Sequence, residues 1–127
     1  MSKMRSVDGD YKKAKISAPS KWWATPPKAR EGGCGAGKLG DLFIPDSIWG
    51  LNVTFICSIH DLMYSEGKTE EDREKADRTM RNNLLRWIDY NTTSPILRWL
   101  RHRRAAKYYA AVRIFGGPAF FNNKHED

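Results

Sequence analysis

The residues best suited to chemistry lie in one short run, Cys57-Ser58-Ile59-His60-Asp61-Leu62-Met63-Tyr64. On a helix, Cys57, His60 and Tyr64 would share a face, because residues three and four apart are neighbours there. Such a face suits acid–base chemistry, since an imidazole gains and loses its proton near neutral pH. The plainer interpretations are a chance His-Asp dipeptide or a partial zinc site. Zinc would need two further ligands, drawn from Cys34, His102 or His125. The two histidines lie in a basic helix and a terminal tail, which disfavours zinc.

A second candidate is Asp77, which falls on the apolar stripe of a predicted helix, next to Ala76 and three residues before Met80. Burying a carboxylate costs free energy unless hydrogen bonds compensate. Asp77 therefore either lies at the edge of the stripe and faces water, which is common, or orients a buried histidine or tyrosine. The local pattern leaves both interpretations open.

The third candidate is a glycine-rich stretch, Glu31-Gly32-Gly33-Cys34-Gly35-Ala36-Gly37-Lys38-Leu39-Gly40-Asp41. Glycines allow backbone angles and close approaches that other residues forbid, so the stretch predicts a loop. It departs from a phosphate-binding P-loop, because Leu39 follows Lys38 where that motif requires Ser or Thr. A loop with inward-facing carbonyls suits calcium, which prefers oxygen ligands. Taken alone, glycine-rich loops are weakly specific.

The segment that must position His60 is ambiguous in the sequence. Over residues 51–65, apolar residues alternate with mostly polar ones, which favours a strand. A helix would instead gather the apolar and reactive residues on one stripe. That stripe would hold Val53, Ile56, Cys57, His60, Met63 and Tyr64.

Two downstream segments are predicted to be helices. Residues 69–90 begin with Thr69 and Asp72 at the spacing of a capping box. Residues 94–115 begin with Ser94 and Pro95, a favourable N-cap and first helical residue, and the run Gly116-Gly117-Pro118 predicts their end. The side chains expected to face the core are Ala76, Met80, Leu84, Trp87 and Ile88 in the first helix, and Ile96, Leu97, Leu100, Tyr108, Val112 and Phe115 in the second.

The chain of 127 residues is long enough for one domain with a real core. Residues 1–30 are expected to form a basic N-terminal arm, in which Pro19, Pro26 and Pro27 break any helix. Residues 31–121 would form the domain and residues 122–127 a polar tail. Within the arm, Trp22-Trp23 either packs back onto the core or anchors the protein at a lipid surface, where Trp is favoured.

The net charge of +7 attracts polyanions, which means nucleic acid or anionic lipid headgroups. No apolar run approaches the roughly 20 residues that a membrane span requires. Residues 1–8 lack the apolar stretch of a secretory signal. Either the protein is not exported by that route, or a signal is missing from this sequence.

Together these parts resemble the phospholipase A2 family. Secreted members combine a Cys-Gly-x-Gly calcium loop with a helix that carries Cys-x-x-His-Asp, and the matching runs here are Cys34-Gly35-Ala36-Gly37 and Cys57-Ser58-Ile59-His60-Asp61. A third part agrees, because Ala76-Asp77-Arg78 lies where the family has an aspartate on an antiparallel helix. The resemblance covers residues 31–88. Lys38 replaces a usual glycine, and the other cysteines and the β-wing of the animal enzymes are absent, as in reduced bacterial and viral members.

The resemblance implies an all-α fold of the phospholipase A2 type. It would consist of two antiparallel catalytic helices, turned at Ser65-Glu66-Gly67-Lys68, a glycine-rich calcium loop and a further C-terminal helix. It also favours the helix for residues 51–65. In the implied site, the catalytic residues are His60, Asp77 and Tyr64. Calcium would be bound by Asp61 and by the backbone carbonyls of Gly33, Gly35 and Gly37. A disulfide would join Cys34 and Cys57. The implied activity is calcium-dependent hydrolysis of the sn-2 ester of glycerophospholipids.

As a partner, the resemblance and the charge together predict an anionic phospholipid surface and no nucleic acid. Two alternatives stay open. One is an inactive relative that binds lipid or a protein partner. The other is a nucleic-acid-binding module, which leaves the His-Asp and cysteine positions unexplained and would use Arg98, Arg101, Arg103, Arg104 and Lys107. Localisation is undecided, because a disulfide indicates a compartment outside the cytosol, whereas the lack of a visible signal indicates the reverse.

Overall fold

A computed structural model describes residues 7–30 and 45–122, and over these ranges the protein is mostly helical. The broad all-α prediction is therefore confirmed, with one small addition. Two short strands pair antiparallel, with Ile48 opposite Leu51. In chain order the elements are α1 (Val7–Lys13), α2 (Ser20–Ala24), a 3₁₀-helix (Pro27–Arg30), β1 (Ser47–Ile48), β2 (Leu51–Asn52), α3 (Thr54–Glu66), α4 (Glu70–Asn91), α5 (Pro95–Phe115) and α6 (Gly117–Asn122).

The ambiguous segment around His60 is a helix, α3, apart from the two residues of β2 and the N-cap residue Val53. Its side chains are buried on two adjacent sides, because α4 covers one side and the N-terminal segment covers the other. On the second side, the ring of Phe55 stacks on Tyr11 with ring centroids 3.8 Å apart. A helix covered on two sides has more apolar positions than one narrow stripe, which explains why its sequence also suits a strand.

The predicted hairpin is present, and α4 begins where the capping box places it. Thr69 Oγ1 accepts a hydrogen bond from the Asp72 backbone N–H at 3.1 Å, and Asp72 Oδ2 accepts one from the Thr69 N–H at 3.1 Å. A further bond from the Lys68 N–H and that from Thr69 hold the pKa of the Asp72 carboxyl below its usual value. The helix then runs between α3 and α5, with its predicted stripe buried apart from the half-buried Trp87.

The start of α5 at Pro95 is also confirmed, and Ser94 Oγ accepts a hydrogen bond from the Leu97 N–H. Its buried face, however, differs from the prediction. Ile96 is 74% exposed and Phe115 is 60% exposed, so neither belongs to the core. Phe115 is the last residue of the helix, and Ile96 lies on the opposite side from the residues that do face inward, which are four, three and four apart. They are Arg101, Ala105, Tyr108 and Val112.

The N-terminal segment packs on the core over residues 7–30. Trp22 is only 2% exposed, and its indole N–H donates to Ser58 Oγ on α3 at 3.1 Å. The Ser17 N–H donates to Asn83 Oδ1 on α4 at 2.8 Å, and the Asn83 amide donates back to the Ser17 carbonyl. Packing of Trp22 onto the core is the first of the two interpretations above. The expectation that proline prevents any helix here was wrong, because Pro19 precedes α2 and Pro27 begins the 3₁₀-helix.

None of the described helices combines the length and apolar character needed to cross a membrane.

Candidate active site

The hairpin of α3 and α4 brings His60 against Asp77, 17 residues later in the chain. His60 Nε2 lies 2.7 Å from Asp77 Oδ1, and the two side chains are 1% and 0% exposed. An ionised carboxylate can only accept hydrogen bonds, so this contact has the imidazole donate from Nε2. In a neutral imidazole the other ring nitrogen, Nδ1, is then an acceptor. It is buried and has no hydrogen-bond partner among the described residues.

The carboxylate of Asp77 is surrounded by donors. The Tyr64 hydroxyl donates to the same Oδ1 at 2.7 Å, and Arg113 Nη1 donates to Oδ2 at 2.7 Å. Arg73, one turn earlier on α4, brings a second guanidinium to 3.7 Å from Oδ2. A fully buried carboxylate is stable only with such partners. Asp77 thus orients both a buried histidine and a buried tyrosine, as one of the two sequence interpretations proposed.

Glu70 links the two guanidiniums. It accepts from Arg113 Nη2 at 2.9 Å and from Arg73 Nε at 2.9 Å. These bonds hold the pKa of the Glu70 carboxyl below its usual value. In return, the bond to Glu70, and then that to Asp77, raise the pKa of the Arg113 guanidinium against the opposing effect of burial. Two carboxylates and two guanidiniums therefore form one compensated charge cluster behind His60.

The Tyr64 side chain supports this arrangement and keeps its proton. Burial, followed by the hydrogen bond and the negative charge of Asp77, raises the pKa of the Tyr64 phenol well above its usual value. The phenol therefore stays protonated, and a donor, at neutral pH. Its ring lies against His60, with ring centroids 4.1 Å apart, and meets Phe120 edge-on at 5.1 Å.

Gly116, at the end of α5, leaves the space that Tyr64 occupies, so Gly116→Ala should destabilise the protein. A Cβ at this position would lie 2.6 Å from the Tyr64 hydroxyl oxygen and 2.5 Å from the Val112 carbonyl oxygen. The expected loss is about 1–3 kcal/mol in the free energy of unfolding, as for other forced overpacking. Urea unfolding measures this loss. Gly117→Ala is the control, because a Cβ there meets nothing within 4 Å. Equal stability of the two variants would contradict the close approach.

The predicted metal ligands fall mostly outside the described residues. Of them, only Asp61 is described; it is half-buried on α3, next to His60. The three carbonyl donors at Gly33, Gly35 and Gly37 lie outside, as does Cys34 of the predicted disulfide. Its partner Cys57 is buried on α3. Across residues 7–30 and 45–122, no group of three or more His, Cys, Asp or Glu side chains is placed to hold a metal ion. A site with one carboxylate and several carbonyls would not form such a group.

The basic run of α5 is partly used inside the protein. Arg101 is buried, and its guanidinium donates to Thr92 Oγ1 at 2.7 Å. Asp89 lies 2.8 Å from His102 Nε2 and 3.9 Å from Arg98 Nη1. Arg101 is therefore not placed to contact phosphates, which corrects the expectation for that residue.

Sequence reasoning missed Arg113, Arg73 and Glu70. Arg73 had a usable signal, because it lies one helical turn before Asp77. Arg113 had none, since 36 residues separate it from Asp77 and only the packing of α5 on α4 joins them.

The sequence matches no family model, and no match to it was found among curated proteins or solved structures.

Proposed function

We propose that this protein is a calcium-dependent phospholipase A2, which hydrolyses the sn-2 ester of glycerophospholipids. The proposal depends above all on the environment of His60. Asp77 holds Nε2 of the ring, while Nδ1 is buried and has no hydrogen-bond partner among the described residues. A histidine held in this way is suited to take a proton from water at Nδ1.

In the proposed reaction, the oxygen of a water molecule attacks the ester carbonyl as His60 Nδ1 takes the proton from that water. The tetrahedral intermediate then expels the glycerol oxygen, which receives the same proton from Nδ1. The products are a fatty acid and a lysophospholipid, and His60 returns to its starting state. No serine or cysteine nucleophile is needed.

Asp77 would stabilise the positive charge that appears on His60 during this cycle, because its carboxylate contacts the opposite ring nitrogen. The guanidinium of Arg113 and the hydroxyl of Tyr64 fix that carboxylate from two further directions. Preorganised contacts of this kind need no rearrangement when charge develops. The charge cluster thus supports a positioning role for Arg113 in this reaction.

The calcium part of the proposal comes from the motif resemblance, and Asp61 suits it as an oxygen donor adjacent to His60 in the chain. The ion would be held by this carboxylate and by the carbonyls of Gly33, Gly35 and Gly37. When bound, calcium supplies a Lewis acid that polarises the ester carbonyl.

The test is release of fatty acid from vesicles of phospholipid labelled at the sn-2 chain. Hydrolysis is expected in a buffer that contains calcium and should stop when a chelator removes the ion. Asp61→Asn should abolish calcium binding measured by calorimetry, together with the hydrolysis. Glu71→Gln is the matched control, because it removes one exposed carboxylate from α4. Hydrolysis that survives chelation would contradict the calcium role, and no hydrolysis in calcium would contradict the whole proposal.

A further inference from the structure

The outer face of α5 has an unusual composition. The helix spans 21 residues and contains no Asp or Glu. Its exposed positions carry cations and large apolar side chains together. They are Pro95, Ile96, Trp99, Arg103, Arg104, Ala106, Lys107, Ala110, Ile114 and Phe115, and this set is called the α5 outer face below.

The cations of this face differ from the basic residues that the protein uses internally. Arg103, Arg104 and Lys107 take part in none of the ion pairs between described residues. The Arg103 guanidinium instead lies over the Trp99 ring, 5.0 Å from its centroid. The positive charge of this face is therefore available to an external anion.

The large apolar side chains of this face are mostly exposed to solvent and do not contribute to the core. Ile96, Trp99, Ile114 and Phe115 are 74%, 57%, 68% and 60% exposed. They lie in the first two turns and the last turn of the helix, with the cations between them. At 1.5 Å per residue, the face extends over about 30 Å from Pro95 to Phe115.

We propose that the α5 outer face is the surface by which the protein lies on an anionic phospholipid bilayer. This inference rests on the proposed function and names the surface by which the protein would bind the bilayer that holds its substrate. Helices that lie in the lipid–water boundary combine these two features, because the cations meet headgroup phosphates while Trp, Ile and Phe enter the boundary. A nucleic acid would use the cations but offers nothing to Ile96, Ile114 and Phe115, which favours lipid.

The α5 helix adjoins the charge cluster, on the Nε2 side of His60. The same helix carries Arg113, whose guanidinium contacts Asp77. The α5 helix itself is about 10 Å across, so a bilayer on the outer face would lie roughly one helix diameter from the charge cluster. The side chains that enter the lipid–water boundary would include Trp99 and Ile96. They would not include Trp22, which is buried.

Sedimentation with vesicles tests the inference. The protein is the full chain carrying His60→Gln, in a buffer that contains a calcium chelator, so that the lipid is not hydrolysed during the measurement. Its binding to phosphatidylglycerol vesicles is compared with its binding to phosphatidylcholine vesicles. Binding is expected to the anionic vesicles only and should weaken in high salt. Arg104→Glu with Lys107→Glu should reduce it at least about 25-fold, since each cation near an anionic bilayer contributes about fivefold. Ile96→Ser with Trp99→Ser should reduce it as well.

The control is Lys13→Glu with Lys75→Glu, which changes the net charge equally at exposed positions on α1 and α4. An equal reduction in this control would overturn the inference, because total charge would then suffice. Equal binding to both lipids at low salt would also overturn it. So would binding of a labelled DNA duplex that needs Arg104 and Lys107 but not Ile96 and Trp99.

A soluble short-chain phospholipid, used below its micelle concentration, separates this inference from the proposed function. Hydrolysis of that monomer by a chain that does not bind vesicles would overturn only the docking surface. Vesicle binding through α5 without hydrolysis of any phospholipid would leave the surface standing and overturn the enzyme.

Discussion

His60→Gln should reduce phospholipid hydrolysis by about 100- to 10,000-fold, the range that a general base contributes. Glutamine can keep a hydrogen bond to Asp77, but its amide cannot take a proton from water. The side chain is 1% exposed and close in length to histidine, so the helical hairpin should persist. Initial rates on sn-2-labelled phospholipid in calcium measure the loss, and thermal unfolding followed by circular dichroism verifies the fold.

His102 offers a matched control for this variant. Its Nε2 lies 2.8 Å from Asp89, so it forms the same kind of histidine–carboxylate contact, but on the surface. His102→Gln should therefore leave the rate within about twofold, because mutations at exposed sites have small effects. Near-normal hydrolysis by His60→Gln would disprove the proposed mechanism, whatever the result for His102.

Asp77→Asn should lower turnover strongly and also destabilise the fold. The amide no longer compensates the positive charge that develops on His60, so a loss of about 100-fold or more is expected in kcat. The guanidiniums of Arg113 and Arg73 would also lose a buried anionic partner. Removing one member of a buried ion pair costs about 3–5 kcal/mol. Since Arg113 is 26% exposed, the lower end of that range is expected.

A second substitution separates these two effects of Asp77→Asn. Adding Arg113→Ala removes the uncompensated guanidinium, so the double variant should regain part of the lost stability while turnover stays low. Calcium affinity, measured by calorimetry, should change less than turnover, because Asp77 contacts His60 and not the proposed ligand Asp61. Equal losses of turnover and calcium affinity would place Asp77 at the metal site or assign it a purely structural role.

The parts of the site that could be predicted from the sequence are those with short-range signals. The capping box at Thr69 and Asp72 marks the start of α4, and the turn before it returns the chain toward α3. With both helices in place, the approach of Asp77 to His60 follows from the hairpin. Its charge and its position on an apolar stripe already marked Asp77 as unusual.

The parts that could not be predicted depend on how helices rotate about their axes and pack. Local pattern alone left α3 undecided, because burial on two sides blurs the helical period. On α5, Ala105 and Val112 face inward, and this rotation of the helix exposes Ile96 and turns Arg101 inward. No short-range pattern records that rotation, so Arg113 could not be assigned to Asp77 in advance.

The packing of Trp22 on α3 bears on how far the chain can be shortened. The motif resemblance begins at residue 31, which would invite trimming everything before it. Such a fragment would lack the indole that bonds to Ser58, two residues before His60, and the Tyr11 ring that covers Phe55. It would also leave Asn83 without the backbone of Ser17. A fragment expected to fold must therefore keep Tyr11 and the residues after it, and a protease cut between this segment and α3 should leave the two pieces bound to each other.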